Sequence, residues 1–170
     1  KLKRLTYLGL ETPSGSSNTI DKKWWKFDVS VAGRRSITND IQAAIGIEQL
    51  KKVKNFIKRR KEIHEMYNKG LSNLKWIKLP NISKYTSSSY YMYHIQVENR
   101  DELAKFLRNK DIYTTFRYYP LHWVKFYKDN NKLPNTEYAS KHTLCLPLHQ
   151  NLTNKEIKYI ISTIKKWNNE

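Results

Sequence analysis

A single cysteine, Cys145, stands among 170 residues, so no internal disulfide is available, and no second Cys or spaced His pair completes a zinc site. Cys145 lies between Leu144 and Leu146 and reads as a buried strand residue. No run of about 18 apolar residues exists to span a membrane. Lys1 opens directly into Leu2-Lys3-Arg4-Leu5, without a charged-then-apolar leader, and cytoplasmic location is the expectation. The missing initiator Met suggests an internal fragment. Ser14-Gly15-Ser16-Ser17 is too short to cradle a phosphate and lacks the Gly-Lys-Ser/Thr ending of a P-loop. No carboxylate pair or Ser/His/Asp constellation stands out, and His64, His94, His142 and His149 are isolated and read as structural.

Acidic residues are also scarce. Fifteen Asp and Glu against 32 Lys and Arg leave a formal charge of +17, which would attract polyanions. A basic nucleic-acid-binding module is therefore one reading, and solvated lysine-rich helix faces are the other. The densest run is Lys58-Arg59-Arg60-Lys61. With 39% hydrophobic and 13% aromatic residues, the chain is long enough to bury a core.

What is present is organised around Gly33 to Leu74. Apolar residues at Ile41, Ala44, Ile45, Ile47, Leu50, Val53, Phe56, Ile57, Ile63, Met66, Tyr67, Leu71 and Leu74 follow helical spacing. Asn39 and Gln42 form a candidate capping box, and Gly70 a candidate stop. Some thirty residues of helix span roughly 45 Å, more than a domain of this size needs, so the helix is expected to join two bodies.

Before it, Lys1 to Leu10 reads as the end of an amphipathic helix, Thr12 to Asn18 as a loop, and Trp24 to Val29 as an aromatic patch. After it come a short strand over Lys75 to Leu79 and a clear one over Tyr90 to Val97, with Tyr91, Tyr93, Ile95 and Val97 on one face. A helix capped by Asn99 and Glu102 follows, then an alternating strand over Ile112 to Tyr118 and a long connection with some helical content. A buried strand over Thr143 to Leu148 precedes a last helix capped by Thr153 and Glu156. This order predicts an α+β domain, a small antiparallel sheet with helices packed on it.

Two places carry chemistry. Gly33-Arg34-Arg35-Ser36 sets two guanidinium groups before a helix N-terminus, which suits a phosphate ester or else is a surface turn. The strip from Tyr113 to His122 presents Tyr113, Thr115, Arg117, Tyr119 and His122. These can stack on rings and hydrogen-bond hydroxyls or phosphates, or they form a tyrosine-rich edge strand with a structural His.

The stretch GRRSITNDIQAAIGIEQLKKVKNFIKRRKEIHEMY resembles a segment of the DegT/DnrJ/EryC1/StrS family, the pyridoxal-phosphate-dependent nucleotide-sugar aminotransferases. The resemblance continues through Arg100-Asp101-Glu102-Leu103 and IYTTFRYYPLH, and closes in LCLPLHQNLTNKEI. It implies the C-terminal half of a fold-type I enzyme. On that basis residues 1–40 end the large cofactor domain, 41–72 form the linking helix, and 73–170 the small α+β domain. The Schiff-base lysine is expected upstream of Lys1.

By the same resemblance, Arg35 falls where the family reaches the cofactor phosphate of the neighbouring subunit, in a homodimer with its active site at the interface. Arg117 and Tyr118 fall near the nucleotide sugar, and His122 matches the His of Pro-Leu-His. The implied reaction moves an amino group from an amino acid, glutamate being the expected donor, to a nucleotide-linked keto sugar. Some relatives dehydrate instead. A catalytically inactive dimerising fragment is the remaining alternative. Ser36, Ile37 and Thr38 depart from the family's aromatic, Arg/His and Met.

Overall fold

A computed structural model describes residues 2–6, 8, 31–36, 38–116, 119–124 and 130–167. The chain divides into two compact units, residues 1–52 and 53–170, with the division inside one continuous helix. The loop over Thr12 to Asn18 and the Trp24 to Val29 patch lie outside the described residues.

In the first unit, helix α1 (Leu2–Thr6) is followed by Arg34 to Ser36 running alongside its end. Helix α2 (Asp40–Leu71) begins at Asn39, whose Oδ1 accepts from the Gln42 backbone N–H at 2.9 Å. The Gln42 side chain does not complete the expected box; its oxygen accepts from the Thr38 hydroxyl at 2.8 Å. Ile41, Ile45, Ile47 and Leu50 are all exposed. Nine residues advance a helix by about 180°, so Ile41 and Leu50 occupy opposite sides. One neighbour cannot cover both.

The second unit holds the core. From α2, Ile63, Tyr67 and Leu71 are fully buried, where the spacing of three and four is clean. Strand β1 (Tyr93–Gln96) pairs antiparallel with β2 (Thr143–Leu146), with Tyr93 opposite Leu146 and Gln96 opposite Thr143. Helix α3 (Arg100–Arg108) supplies Leu103 and Leu107, and α5 (Asn154–Lys166) supplies Ile157, Ile160 and Ile164. Between them lie a 3₁₀ turn (Leu121–Trp123) and α4 (Pro134–His142).

Among the described residues, the expected strands over Lys75 to Leu79 and Ile112 to Tyr118 show only single bridges, Lys78 to Gln96 and Thr115 to Cys145. They extend the sheet on either side to the order Lys78, β1, β2, Thr115. Cys145 is buried in the inner strand, as its neighbours indicated. The capping box at α5 forms in full: the Glu156 N–H donates to the Thr153 hydroxyl at 3.2 Å, and the Thr153 N–H to Glu156 Oε2 at 2.7 Å. At α3 the expected box is absent. Asn99, with φ −97° and ψ 55°, lies outside the extended region a capping side chain needs.

The basic run on α2 is not uniformly solvated. Arg59 Nη2 donates to the Leu152 carbonyl at 2.6 Å and to Asn154 Oδ1 at 2.8 Å, and Arg60 Nη2 to Gln150 Oε1 at 3.4 Å. Only Lys58 and Lys61 face water. Two arginines of the densest cationic run thus tie α2 to the entrance of α5.

Gly70 does not stop the helix; it lies within the last turn, where a Cβ would sit 2.7 Å from Ile161 Cδ1 and 2.8 Å from its Cγ2. Gly70→Ala gains about 1 kcal/mol of helix propensity but incurs an overpacking cost of about 1–3 kcal/mol. A net loss of stability is expected in urea denaturation, relieved by pairing it with Ile161→Ala. A stabilised Gly70→Ala protein would show that α2 and α5 do not approach this closely.

Candidate functional site

In the first unit the backbone around Arg35 is held on both sides. The Arg34 N–H donates to the Leu5 carbonyl at 2.9 Å, and the Ser36 N–H to the Thr6 carbonyl at 2.9 Å. Arg35 itself is exposed. A guanidinium on a pinned backbone, with its side chain open to solvent, is suited to fork onto an anionic oxygen pair. Of the departing residues, Ser36 and Thr38 are exposed and Ile37 lies outside the described residues.

In the second unit a cavity of about 570 Å³ opens beside β2, lined by Tyr113, Thr115, Cys145, His149 and Tyr159 among others. The structure thus brings Tyr113 and Thr115 of the expected strip to a concave apolar surface of ligand-binding size. Arg117 and Tyr118 lie outside the described residues. Tyr119 packs its ring against Trp123 at 5.8 Å.

His122 does not line the cavity. It is 8% exposed in the 3₁₀ turn, its ring 5.3 Å from Trp123, and its Nε2 lies 3.3 Å from Glu137 Oε1. The same Oε1 accepts from the Leu133 N–H at 3.0 Å. That backbone bond first, and His122 second, hold the Glu137 carboxyl below its ordinary pKa. Glu137 was not singled out from sequence. The available signal was Pro134 opening a helix with Glu137 in its first turn, where a carboxylate meets free backbone N–H groups.

A second buried histidine sits between α2 and β1. The Tyr93 hydroxyl donates to Asn68 Oδ1 at 2.7 Å, and Asn68 Nδ2 faces His64 Nδ1 at 3.4 Å. An amide nitrogen only donates, so His64 Nδ1 is the unprotonated acceptor. The Tyr90 and Tyr93 rings flank the imidazole edge-on at 5.3 and 4.9 Å. Burial lowers the pKa of His64, and nearby His94 is lowered by burial too.

The unfolded chain takes up these protons near 6.5 while the fold resists them. Their contribution to stability is complete above that pH and is lost as pH falls through the lower folded values. Each proton steepens the loss by up to about 1.4 kcal/mol per pH unit. Urea midpoints measured from pH 8 to 5 are expected to fall below pH 6.5, less steeply in His64→Phe. Equal slopes in the two proteins would exclude His64 as a source.

The model of the DegT/DnrJ/EryC1/StrS aminotransferase family matches residues 11–165. The chain belongs to that family. It is 39% identical over 170 residues to the dTDP-4-dehydro-2,3,6-trideoxy-D-glucose 4-aminotransferase of Saccharopolyspora spinosa, covering 98% of this chain and 44% of the relative. GDP-perosamine synthase of Escherichia coli O157:H7 is 29% identical over 157 residues, covering 90% and 42%.

Among solved structures, the aminotransferase TlmJ from Streptoalloteichus hindustanus superposes with a TM-score of 0.79 at 38% identity, over 96% of this chain and 42% of that one. The putative sugar aminotransferase Spr1654 of Streptococcus pneumoniae, at 25% identity, has been solved in a PMP-form, with a TM-score of 0.77 over 96% of this chain and 43% of that one. The chain therefore spans less than half the length of these DegT-family relatives. Its α+β architecture is that of the C-terminal part of the family's fold, as its motifs implied.

Proposed function

We propose that this chain is the C-terminal part of a cytoplasmic, pyridoxal-phosphate-dependent aminotransferase that moves an amino group from glutamate to the keto group of a nucleotide-linked sugar. The family match over residues 11–165 carries the reading. The domain assignment is residues 1–40 for the end of the cofactor domain, 41–72 for the linking helix and 73–170 for the small domain. Opposed apolar residues in the first half of α2 support it, because a helix apolar on two sides belongs between two bodies.

Arg35 is assigned to the cofactor phosphate of the neighbouring subunit in a homodimer. Its exposed guanidinium and pinned backbone fit a phosphate group, which accepts two parallel N–H donors. Bound pyridoxal phosphate supplies the electron sink. The lysine that holds it and the residues that clasp its ring are assigned to sequence upstream of Lys1. Arg117, Tyr118 and His122 are assigned to the nucleotide sugar: Arg117 to charge, Tyr118 to stacking or a hydroxyl, and His122 to a hydrogen bond.

In the full-length protein, purified wild type is expected to convert a nucleotide-linked keto sugar to the amino sugar with consumption of glutamate. Arg35→Ala is expected to weaken pyridoxal phosphate binding on the order of 10- to 100-fold, the equivalent of losing a charge-assisted pair. Fluorescence titration of the cofactor reads this without turnover. Unchanged affinity would remove Arg35 from the phosphate site, and absence of cofactor binding in wild type would overturn the function.

A further inference from the structure

We propose that Glu137 is a positioning residue that fixes His122 as its Nε2–H tautomer, leaving Nδ1 as an acceptor for a hydroxyl of the nucleotide-linked sugar. This rests on the assignment of His122 to the sugar site. The carboxylate is anchored independently of the histidine. Pro134 begins α4, and Glu137, one turn in, reaches back so that Oε1 takes the Leu133 N–H at 3.0 Å. That oxygen then faces His122 Nε2 at 3.3 Å.

A carboxylate accepts only, so the ring nitrogen opposite it carries the hydrogen. Glu137 stays ionised because the Leu133 bond, more than the histidine, favours its charged form. In a neutral imidazole the other nitrogen is then a lone pair. Nδ1 makes no hydrogen bond among the described residues and is not among the buried polar atoms left without a partner. Trp123 flanks the ring at 5.3 Å, limiting its rotation.

A fixed acceptor of this kind selects a donor. It suits a sugar hydroxyl and disfavours a phosphate oxygen, whose lone pairs it would oppose. The charge of the ligand's diphosphate must therefore be met elsewhere. Glu137 thus orients a group that touches substrate without touching substrate itself, as outer partners of histidine ligands do at other sites.

The test uses full-length protein labelled with ¹⁵N-histidine, with the His122 resonance assigned by its loss in His122→Gln. At pH 8.5 the long-range ¹⁵N–¹H spectrum is expected to show His122 as the Nε2–H form. Glu137→Gln keeps an acceptor oxygen and is expected to retain that tautomer and KM. Glu137→Leu is expected to mix the tautomers and raise KM for the nucleotide sugar about 10-fold, with kcat less affected and cofactor binding unchanged. Thermal melts of both variants identify any general loss of fold, and Glu137→Gln tests the idea even where Glu137→Leu fails to fold. A wild-type Nδ1–H form, or a Glu137→Gln protein with a changed tautomer, would overturn the lock. A retained lock with KM indifferent to His122→Gln would overturn the hydroxyl contact. Failure of the aminotransferase reading shows separately, as no amino transfer by wild type.

Discussion

Tyr67→Ala is expected to lower the unfolding free energy by about 3–5 kcal/mol, and Tyr67→Phe by about 1–3 kcal/mol. Tyr67 is fully buried, its ring lies 4.8 Å from that of Tyr93, and its hydroxyl donates to the Pro147 carbonyl at 2.8 Å. Burial and the neighbouring Tyr93 raise its pKa, so the phenol remains a donor throughout the physiological range. The alanine variant loses the ring and leaves a cavity between α2 and the sheet. The phenylalanine variant keeps the packing but leaves a carbonyl without its donor. Against a typical total of about 5–15 kcal/mol, the first loss is a large fraction. Pro147 and Leu148 also border the cavity beside Tyr113, so the hydroxyl helps set that wall. Equal urea midpoints for Tyr67→Phe and wild type would show that the Pro147 bond contributes nothing net.

The second large effect concerns charge. Arg59→Ala is expected to cost about 1.5–3 kcal/mol, the range for hydrogen bonds from a charged group, while Lys58→Ala stays within about 0.5 kcal/mol. Arg59 is largely covered and joins α2 to the Leu152 carbonyl and to Asn154. Lys58, one residue away, is exposed. Arg59→Lys is expected to fall between, because a single ammonium cannot reproduce a planar guanidinium whose Nη2 meets Leu152 and Asn154 while its Nη1 meets Glu62. Thermal melts of the three variants at low and moderate salt separate these cases. If Lys58→Ala and Arg59→Ala behave alike, the run is a solvated face throughout. A nucleic-acid surface would instead need both side chains free, and Arg59 is already engaged within the fold.

The elements legible in the sequence are those whose information is local. Thr153 and Glu156 cap α5 through each other, three residues apart, and both bonds form. Tyr93, Ile95 and Val97 alternate and are all buried, whereas Tyr91 on the same expected face is 53% exposed because the ladder starts two residues later. The misjudged features needed a distant partner. Alternation over Ile112 to Tyr118 reads as a strand, yet the described part of that stretch pairs only at Thr115, since ladder bonds require a facing backbone. Gly70 resembles a helix stop until Ile161 is placed against it. The early half of α2 has the composition of a buried helix and is exposed, because apolar spacing says that a partner is wanted but not where it is.

For the candidate site the division is similar. The DegT-family motifs, the open Arg35 before a helix N-terminus and the tyrosine-rich strip are matters of residue type and order, and the sequence by itself determined them together with the α+β class. Only the tertiary structure decided that Arg59 and Arg60 brace α5, that Tyr113 and Thr115 border a cavity with Cys145 and Tyr159, and that His122 is paired with Glu137. Fifteen residues separate that last pair along the chain, with the 3₁₀ turn and the start of α4 between them. The physical reason is that a hydrogen bond acts over about 3 Å, so which side chains meet depends on where the intervening backbone turns, and that is decided by packing.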